Sequence, residues 1–491
     1  MLLSRLSEPL SDKNRIGSGD PDITDLVYDS RQVVPGVLFA CIRGDNFDGH
    51  KFIEAAITKG AGALLIDDLR SIDGKKLTVP AILVSDTREA LPILANSFFH
   101  YPSRKLKFIG VTGTKGKTTT AYLIEGALRR AGLAAGVIGT LGARANGKEI
   151  HLDRTTPEAV DLQRILAGMV DSGVQAAAME ISSHALAKRR TLGCEYDVGV
   201  FTNLTHDHLD FHNTLDEYLE AKLTLFREYP RESSKPFTAV VNIDDPRSGK
   251  VLDAVAGKMV TYGIKNPADI RAENIAAGAT NVTFDAVCPQ GKLHIDLNLG
   301  GMFNVYNALA AVGAVLSLGY DLDEIGTGLE SVRAVDGRFE SVDCGQDFAV
   351  IVDYAHSPDS LDNVMKSARE LTTGRMIVVF GCGGDRDTMK RSVMGKLAAE
   401  QADVCIVTSD NPRTEDPEAI IQEILTGTKE GNAKVEAITD RRDAIKHALE
   451  IAKAGDLVVI AGKGHETYQI FKNETIHFDD REVVREILGN G

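Results

Sequence analysis

The chain has 491 residues, 43% of them hydrophobic, and 55 Lys and Arg against 70 Asp and Glu give a formal net charge of -15. At roughly 150 residues per domain the length implies three domains, and the apolar share lets each bury a core, which excludes a disordered or fibrous chain. So acidic a field repels nucleic-acid backbones and anionic membranes, and any phosphate-bearing ligand has to be held by a local site. The six cysteines (Cys41, Cys194, Cys288, Cys344, Cys382, Cys405) form no CxxC pair. They are expected to be reduced thiols, buried as small hydrophobes in a cytoplasmic protein. The opening MLLSRLSEPLSDKN carries no signal-peptide apolar stretch, and no apolar run is long enough to span a bilayer. Membrane insertion is therefore not expected.

The first hundred residues alternate short apolar strands (GVLFACI, PAILVSD) with helical stretches (HKFIEAAITKGAGALLID, REALPILANSFF). After YPSRKLK a second unit opens with the buried-strand run FIGVTG, a Gly-rich turn and the helix TTTAYLIEGALRRAG, and it continues through AAAMEIS, VGVFTNL and FTAVVNID. The segment SVRAVDGRFE breaks the periodicity, and a third alternating unit follows with FAVIVDYA, MIVVFGCGG, VCIVTSD and DLVVIAGKG. This pattern predicts an α/β fold of three domains: a small α/β N-terminal domain over 1–99, a central P-loop-type domain with a mainly parallel sheet over 100–331, and a Rossmann-like C-terminal domain over 332–491.

The turn Gly113-Thr114-Lys115-Gly116-Lys117-Thr118-Thr119 lies between strand and helix. There, backbone N–H groups and a helix N-terminus can hold a triphosphate, with Lys117 on the β/γ oxygens and the Thr118 hydroxyl on Mg²⁺. Five residues rather than four separate Gly110 from Gly116, so the strict P-loop spacing is missed by one and an ordinary Gly-rich turn stays open. Glu180 ends AAAMEIS, and Asn203-Leu-Thr-His-Asp-His208-Leu-Asp210 follows the next strand. Both are expected at strand carboxyl ends, where doubly wound sheets bind ligands, and a carboxylate and an imidazole there can complete a magnesium shell. Lys222 lies on a helix with one apolar face, and composition alone reads it as a solvated surface lysine.

Taken together, ThrThrProGlu at 155–158, GluIleSerSerHis at 180–184, AlaLys at 221–222, AsnValTyrAsn at 304–307, AspGlyArgPheGlu at 336–340, AspTyrAlaHisSerPro at 353–358 and GlyLysGlyHisGlu at 462–466, with the Gly-rich turn, resemble the Mur ligase family, ATP-dependent amino-acid ligases of peptidoglycan precursor synthesis. The likeness spans all three domains in order and falls nearest the branch that adds the third residue of the stem peptide. It implies roles in cell-wall biogenesis, cell shape and division, with ATP as co-substrate. It implies an N-terminal site for the uridine nucleotide through Asp29-Ser30-Arg31, and contacts from Thr155, Thr156, Ser182, Lys188 and Arg190 to UDP-N-acetylmuramoyl-L-alanyl-D-glutamate. Lys188 stands where the family pattern has glutamine. The resemblance further implies that Lys222 is carbamylated by CO₂ and binds Mg²⁺ with Thr118, Glu180 and His208, and that Asn304, Asn307, Arg338 and Asp353 serve ATP. His356 is a candidate base for the amine proton, a turn-capping role being equally open.

Asp410-Asn411-Pro412-Arg413 follows VCIVTSD, and in the family this sequence accompanies meso-diaminopimelate, lysine-adding relatives replacing the arginine. The chemistry agrees, because diaminopimelate carries a second carboxylate that an arginine fork can bind. Arg386 supplies a second positive contact, Glu466 pairs with the distal ammonium, and Gly462 lines the same site. The alternative for Arg413 is a surface pairing with Glu415 or Asp416. The competing functions are the lysine-adding homologue, a folylpolyglutamate synthetase-like ligase and, in a different class, a nucleotide-dependent regulatory module. A monomer is expected, with no nucleic-acid partner.

Overall fold

The computed structural model describes residues 1–44, 47–73 and 77–489, without the side chains of Leu209 and Asp210. The chain divides into two compact units, one of residues 1–117, 128–261 and 313–320, the other of residues 118–127, 262–312 and 321–491.

The first unit holds two sheets. In the smaller, Leu26–Val27, Leu38–Ala40, Ala63–Ile66 and Ala81–Leu83 run parallel in that order, and Asn14–Ile16 closes the edge antiparallel to Ala81–Leu83. The stretch read as one helix from His50 to Asp67 divides: Ile53–Thr58 is helical, and Ala63–Ile66 is a fully buried strand of the sheet. Gly60 and Gly62 punctuate the run, and its apolar ALLI segment is short enough to be strand. In the larger sheet, five parallel strands lie in the order Thr238–Asn242, Val198–Phe201, Lys107–Thr112, Ala176–Glu180, Ala135–Gly139. Their near-continuous Ala, Val and Ile runs suit a sheet covered on both faces. Register puts Glu180 beside Val111 and Phe201 beside Thr112, so the polar turns after these strands emerge at one edge.

In the second unit an antiparallel meander (Ile270–Ala277, Val282–Cys288, Gly291–Leu297) precedes the C-terminal sheet. That sheet has the order Glu340–Ser341, Ala349–Asp353, Leu457–Ala461, Met376–Phe380, Val404–Val407, Lys434–Ala437, all parallel except the first pair. Alternate strand residues face opposite cores. Ile351, Val378, Cys405 and Val459 pack with Leu361, Met365, Met394 and Ile424, whereas Val352, Val379, Ile406 and Ile460 pack with Ile445, Leu449 and Val484. Helices cover both faces, as the doubly wound reading expects. Of the six cysteines, all free, five are buried, but Cys344 is exposed. It sits in the polar turn Asp343-Cys344-Gly345-Gln346 and has no apolar face to join. Among the described residues no helix is long and apolar enough to cross a membrane.

Arg441 ties the helix Arg441–Ile451 to the helix Asp480–Gly489 through a two-pronged pair with Asp480, 2.7 Å at each prong, and both side chains are fully buried. Removing one partner strands the other charge without water. Asp480→Ala should therefore lower stability by about 3–5 kcal/mol in denaturant unfolding, whereas Arg442→Ala, which breaks a half-exposed pair with Glu486, should cost under about 1 kcal/mol.

Candidate active site

Strand Lys107–Thr112 delivers the chain into the Gly-rich turn, and the following helix starts at Lys117. Gly113 has φ +149°, and a Cβ there would collide with the Thr202 hydroxyl. Only glycine lets the turn pass this close. The turn is clamped from the neighbouring strand's end: Lys115 N–H donates to Asn203 Oδ1 (2.9 Å), Asn203 Nδ2 and Thr202 Oγ1 donate to the Lys115 carbonyl (3.1 and 2.7 Å), and Thr114 N–H donates to the Asn203 carbonyl. Lys117 Nζ folds back onto the carbonyls of Gly113 (3.1 Å) and Thr114 (2.7 Å). Thr118 and Thr119 are buried in the first helical turn. The sequence motif contains both Thr202 and Asn203 but gives neither a task. The signal for Asn203 was available: an Asn just past a strand end, at the edge where the Gly-rich turn emerges.

Lys222 is not a surface residue. Its helix, Leu215–Arg227, turns Lys222 inward, where the side chain is 1% exposed, donates to the Gly113 carbonyl at 2.8 Å and lies 4.3 Å from the Tyr218 ring centre. Burial, reinforced by the Lys117 charge and opposed by Asp207, holds its pKa well below the usual lysine range. Both effects disfavour the ammonium relative to the free amine.

Glu180 is likewise buried, accepting from Thr140 N–H (2.8 Å) and Thr140 Oγ1 (3.2 Å). A Cβ at Gly139 would overlap this carboxylate. Around Glu180 the expected substrate contacts converge. Thr155 Oγ1 lies 3.1 Å from Thr140 Oγ1, and Thr156 Oγ1 donates to the Glu180 carbonyl and accepts from Ser182 N–H. Ser182 caps its helix by accepting from Ala185 N–H, and Arg190 reaches the Thr156 carbonyl and pairs with Glu158 at 2.9 Å. Burial lowers the Arg190 pKa. Lys188 Nζ stands 5.2 Å from the Phe211 ring centre. His208 has φ +53°, and its ring meets the His184 ring edge-on at 4.9 Å. The Asp210 side chain lies outside the described residues. Ser30 lies in the smaller sheet's part of the unit, its carbonyl accepting from Lys59 Nζ (2.8 Å). Among the described residues no group of three His, Cys, Asp or Glu side chains is arranged to hold a metal ion.

In the second unit Thr120, Asn307, Asn304 and the Gly300 carbonyl form a buried chain of hydrogen bonds at 3.4, 2.8 and 2.7 Å. Asp353 accepts from the N–H groups of Phe339 (2.7 Å) and Ala355 (2.8 Å), and Arg338 lies over the Tyr354 ring at 5.4 Å. His356 Nδ1 sits 2.7 Å from the Tyr354 carbonyl, a turn contact on an exposed side chain. The loops after the parallel strands meet at their carboxyl ends. Gly462 N–H donates to the Asp353 carbonyl at 3.0 Å, Asn411 Nδ2 donates to Glu466 Oε2 at 2.8 Å, and Asp410, Asn411 and Pro412 are buried. Arg386 is exposed in the loop after Met376–Phe380. Arg413, φ +53°, donates to the Gly384 carbonyl at 2.8 Å. Its proposed carboxylate partners are engaged elsewhere: Glu415 pairs with Arg391 at 2.9 Å and Asp416 caps the helix Pro417–Thr428.

Comparison with known proteins places this arrangement. Residues 22–99 match the model of the Mur ligase family catalytic domain, 111–315 the Mur ligase middle domain and 337–464 the Mur ligase glutamate ligase domain. UDP-N-acetylmuramoyl-L-alanyl-D-glutamate--2,6-diaminopimelate ligase of Geobacillus kaustophilus (strain HTA426) is 47% identical over 469 residues, 95% of each chain. The chain belongs to the Mur ligase family. It is accordingly an ATP-dependent ligase that forms amide bonds. A solved structure of a UDP-N-acetylmuramoyl-L-alanyl-D-glutamate--2,6-diaminopimelate ligase is 32% identical, with TM-score 0.71 over 100% of this Mur ligase and 99% of that chain. MurF of Thermotoga maritima in complex with ADP, at 19% identity and TM-score 0.64 over 95% and 97% of the two chains, shares the fold.

The Asn203 clamp yields an expected outcome. Asn203→Ala removes both side-chain bonds to Lys115 and should weaken binding of a non-hydrolysable ATP analogue by about 1–3 kcal/mol in titration calorimetry. Unchanged affinity would show that the turn holds its shape unaided.

Proposed function

We propose that this Mur ligase joins meso-diaminopimelate to the D-glutamate of UDP-N-acetylmuramoyl-L-alanyl-D-glutamate in the cytoplasm, consuming ATP and releasing ADP and phosphate. Residues 1–99 serve the uridine end of the substrate, 100–331 the ATP chemistry and 332–491 the incoming amino acid. The observation that carries the choice of amino acid is Arg413: the preceding Asp410–Pro412 segment is buried, the nearby carboxylates Asp385, Glu415 and Asp416 accept hydrogen bonds from other groups, and its guanidinium hydrogen-bonds only to carbonyl oxygens. The second carboxylate of diaminopimelate supplies the missing anion, and lysine has none.

The reaction has two steps. The D-glutamate γ-carboxylate attacks the ATP γ-phosphorus, giving an acyl phosphate and ADP. The amine of diaminopimelate then attacks the acyl carbon, phosphate leaves, and the amine gives up a proton. Two anions approach in the first step, so positive charge at the phosphates is the main requirement. Lys117 supplies part of it once it leaves the Gly113 and Thr114 carbonyls for the β/γ oxygens. Backbone N–H groups of Thr114 to Thr119 and the helix start add partial charge. Thr155, Thr156, Ser182 and Arg190 fix the muramoyl-dipeptide arm.

Residues present suit Mg²⁺. Glu180 offers a buried carboxylate, His208 an imidazole, and Lys222 an amine whose uncharged form CO₂ converts, with loss of a proton, to an anionic carbamate. These three would hold the ion, which when bound screens phosphate charge from the attacking carboxylate.

Phosphate release from ATP should require both the UDP-linked dipeptide and an amino acid, and diaminopimelate should outpace lysine. Release without the amino acid would point to a regulatory nucleotide switch instead. Lys222→Ala should abolish nearly all turnover and regain part of it with a short carboxylic acid in the buffer, and full turnover without additive removes the carbamate from the scheme. Arg413→Ala should lower kcat/KM for diaminopimelate by about 1.5–3 kcal/mol, roughly 10- to 150-fold. Unaltered selectivity over lysine would mean that another group reads the second carboxylate.

A further inference from the structure

We propose that Lys463, a buried lysine that touches neither ATP nor the muramoyl arm in this scheme, is the positioning residue that sets amino-acid selection. This deepens the diaminopimelate reading and rests on it.

Lys463 follows strand Leu457–Ala461 and its side chain is fully buried. An ammonium has three N–H donors and no acceptor, so a buried one needs three acceptors around it. The structure supplies them from two segments: Asn411 Oδ1 at 3.2 Å from the loop after Val404–Val407 and, just beyond Lys463 in its own loop, Glu466 Oε2 at 3.1 Å and the Tyr468 carbonyl. The same partners are bonded to one another. Asn411 Nδ2 donates to Glu466 Oε2 (2.8 Å), Ile470 N–H to Asn411 Oδ1 (3.0 Å), Arg413 N–H to the Ile470 carbonyl (3.0 Å), and Gln469 Nε2 to the Asp410 carbonyl (2.7 Å).

One cation thus ties the Asp410–Arg413 loop, Glu466 and the strand Tyr468–Ile470 into a single polar network. Two consequences bear on selection. Glu466 has Oε2 committed to Lys463 and Asn411, which leaves Oε1 as the oxygen offered to a substrate ammonium. Arg413 has its backbone held at Ile470, so the spacing between guanidinium and Glu466 is set before substrate arrives. A ligand with a carboxylate and an ammonium at one end meets two partners already held in place, and preorganisation of this kind lowers KM by removing ordering cost from the binding step.

The test uses full-length protein carrying Lys463→Met, which keeps length and loses the donors, alone and combined with Glu466→Gln. Lys463→Met should raise KM for meso-diaminopimelate at least tenfold while KM for ATP moves less than twofold. The double variant should be no worse than the worse single one, because Lys463 acts through Glu466. Hydrogen exchange should quicken at Asn411, Arg413 and Ile470 and stay slow in Leu457–Ala461. Effects that multiply in the double variant, parallel rises in both KM values, or unchanged exchange would each overturn the proposal. Should Lys463→Met fail to fold, exchange in Glu466→Gln decides, since weakening the same pair should loosen the same amides, and unchanged rates would overturn it. Wild-type protein that does not turn over diaminopimelate would overturn the parent reading, and the exchange measurement would still decide whether Lys463 holds the loop.

Discussion

Lys222 has to keep a basic nitrogen where water does not reach, and the Gly113 carbonyl makes that tolerable. A buried amine without an acceptor would cost several kcal/mol. Accepting one bond from Lys222 and another from Lys117, Gly113 joins the two lysines to one carbonyl. The arrangement depresses the Lys222 pKa twice over, by desolvation and by the neighbouring charge. It also explains why the residue at 113 has no side chain: the turn must bring its backbone against Thr202 on one side and Lys222 on the other. Much of the first unit's chemistry follows from that close approach.

The second unit solves a different problem. Its sheet is covered by helices on both faces, so polar groups emerge only at strand ends, and the loops after Ala349–Asp353, Met376–Phe380, Val404–Val407 and Leu457–Ala461 all leave from the same edge. There the charges are matched pairwise or by backbone groups: Asp353 by two N–H donors, Glu466 by Lys463 and Asn411, Arg391 by Glu415 and Glu423. Arg413 is set apart by bonding only to carbonyls.

Strand identity was legible wherever buried runs such as AAAME, VGVF and LVVIA stood between turn residues, because parallel strands shielded on both faces read as unbroken apolar segments. The antiparallel meander was passed over although Val282–Cys288 alternates buried with half-buried residues along its length. That two-residue period is the mark of a strand with one wet face. The division of residues 50–67 into helix and strand was missed for the converse reason, since a short ALLI run carries no period that separates strand from helix.

Residue order alone determined the doubly wound architecture, the Gly-rich turn between strand and helix and the acidic and basic groups at strand ends, because periodicity and glycine placement are local properties of the chain. The burial of Lys222, the Asn203 clamp and the Lys463 network depended on tertiary structure. Each joins side chains to groups far along the chain: Lys222 to Gly113, Asn203 to Lys115, Lys463 to Asn411. A lysine on an amphipathic helix looks the same in sequence whether it faces water or a carbonyl. Only the packing of one element against another removes the water and sets its charge.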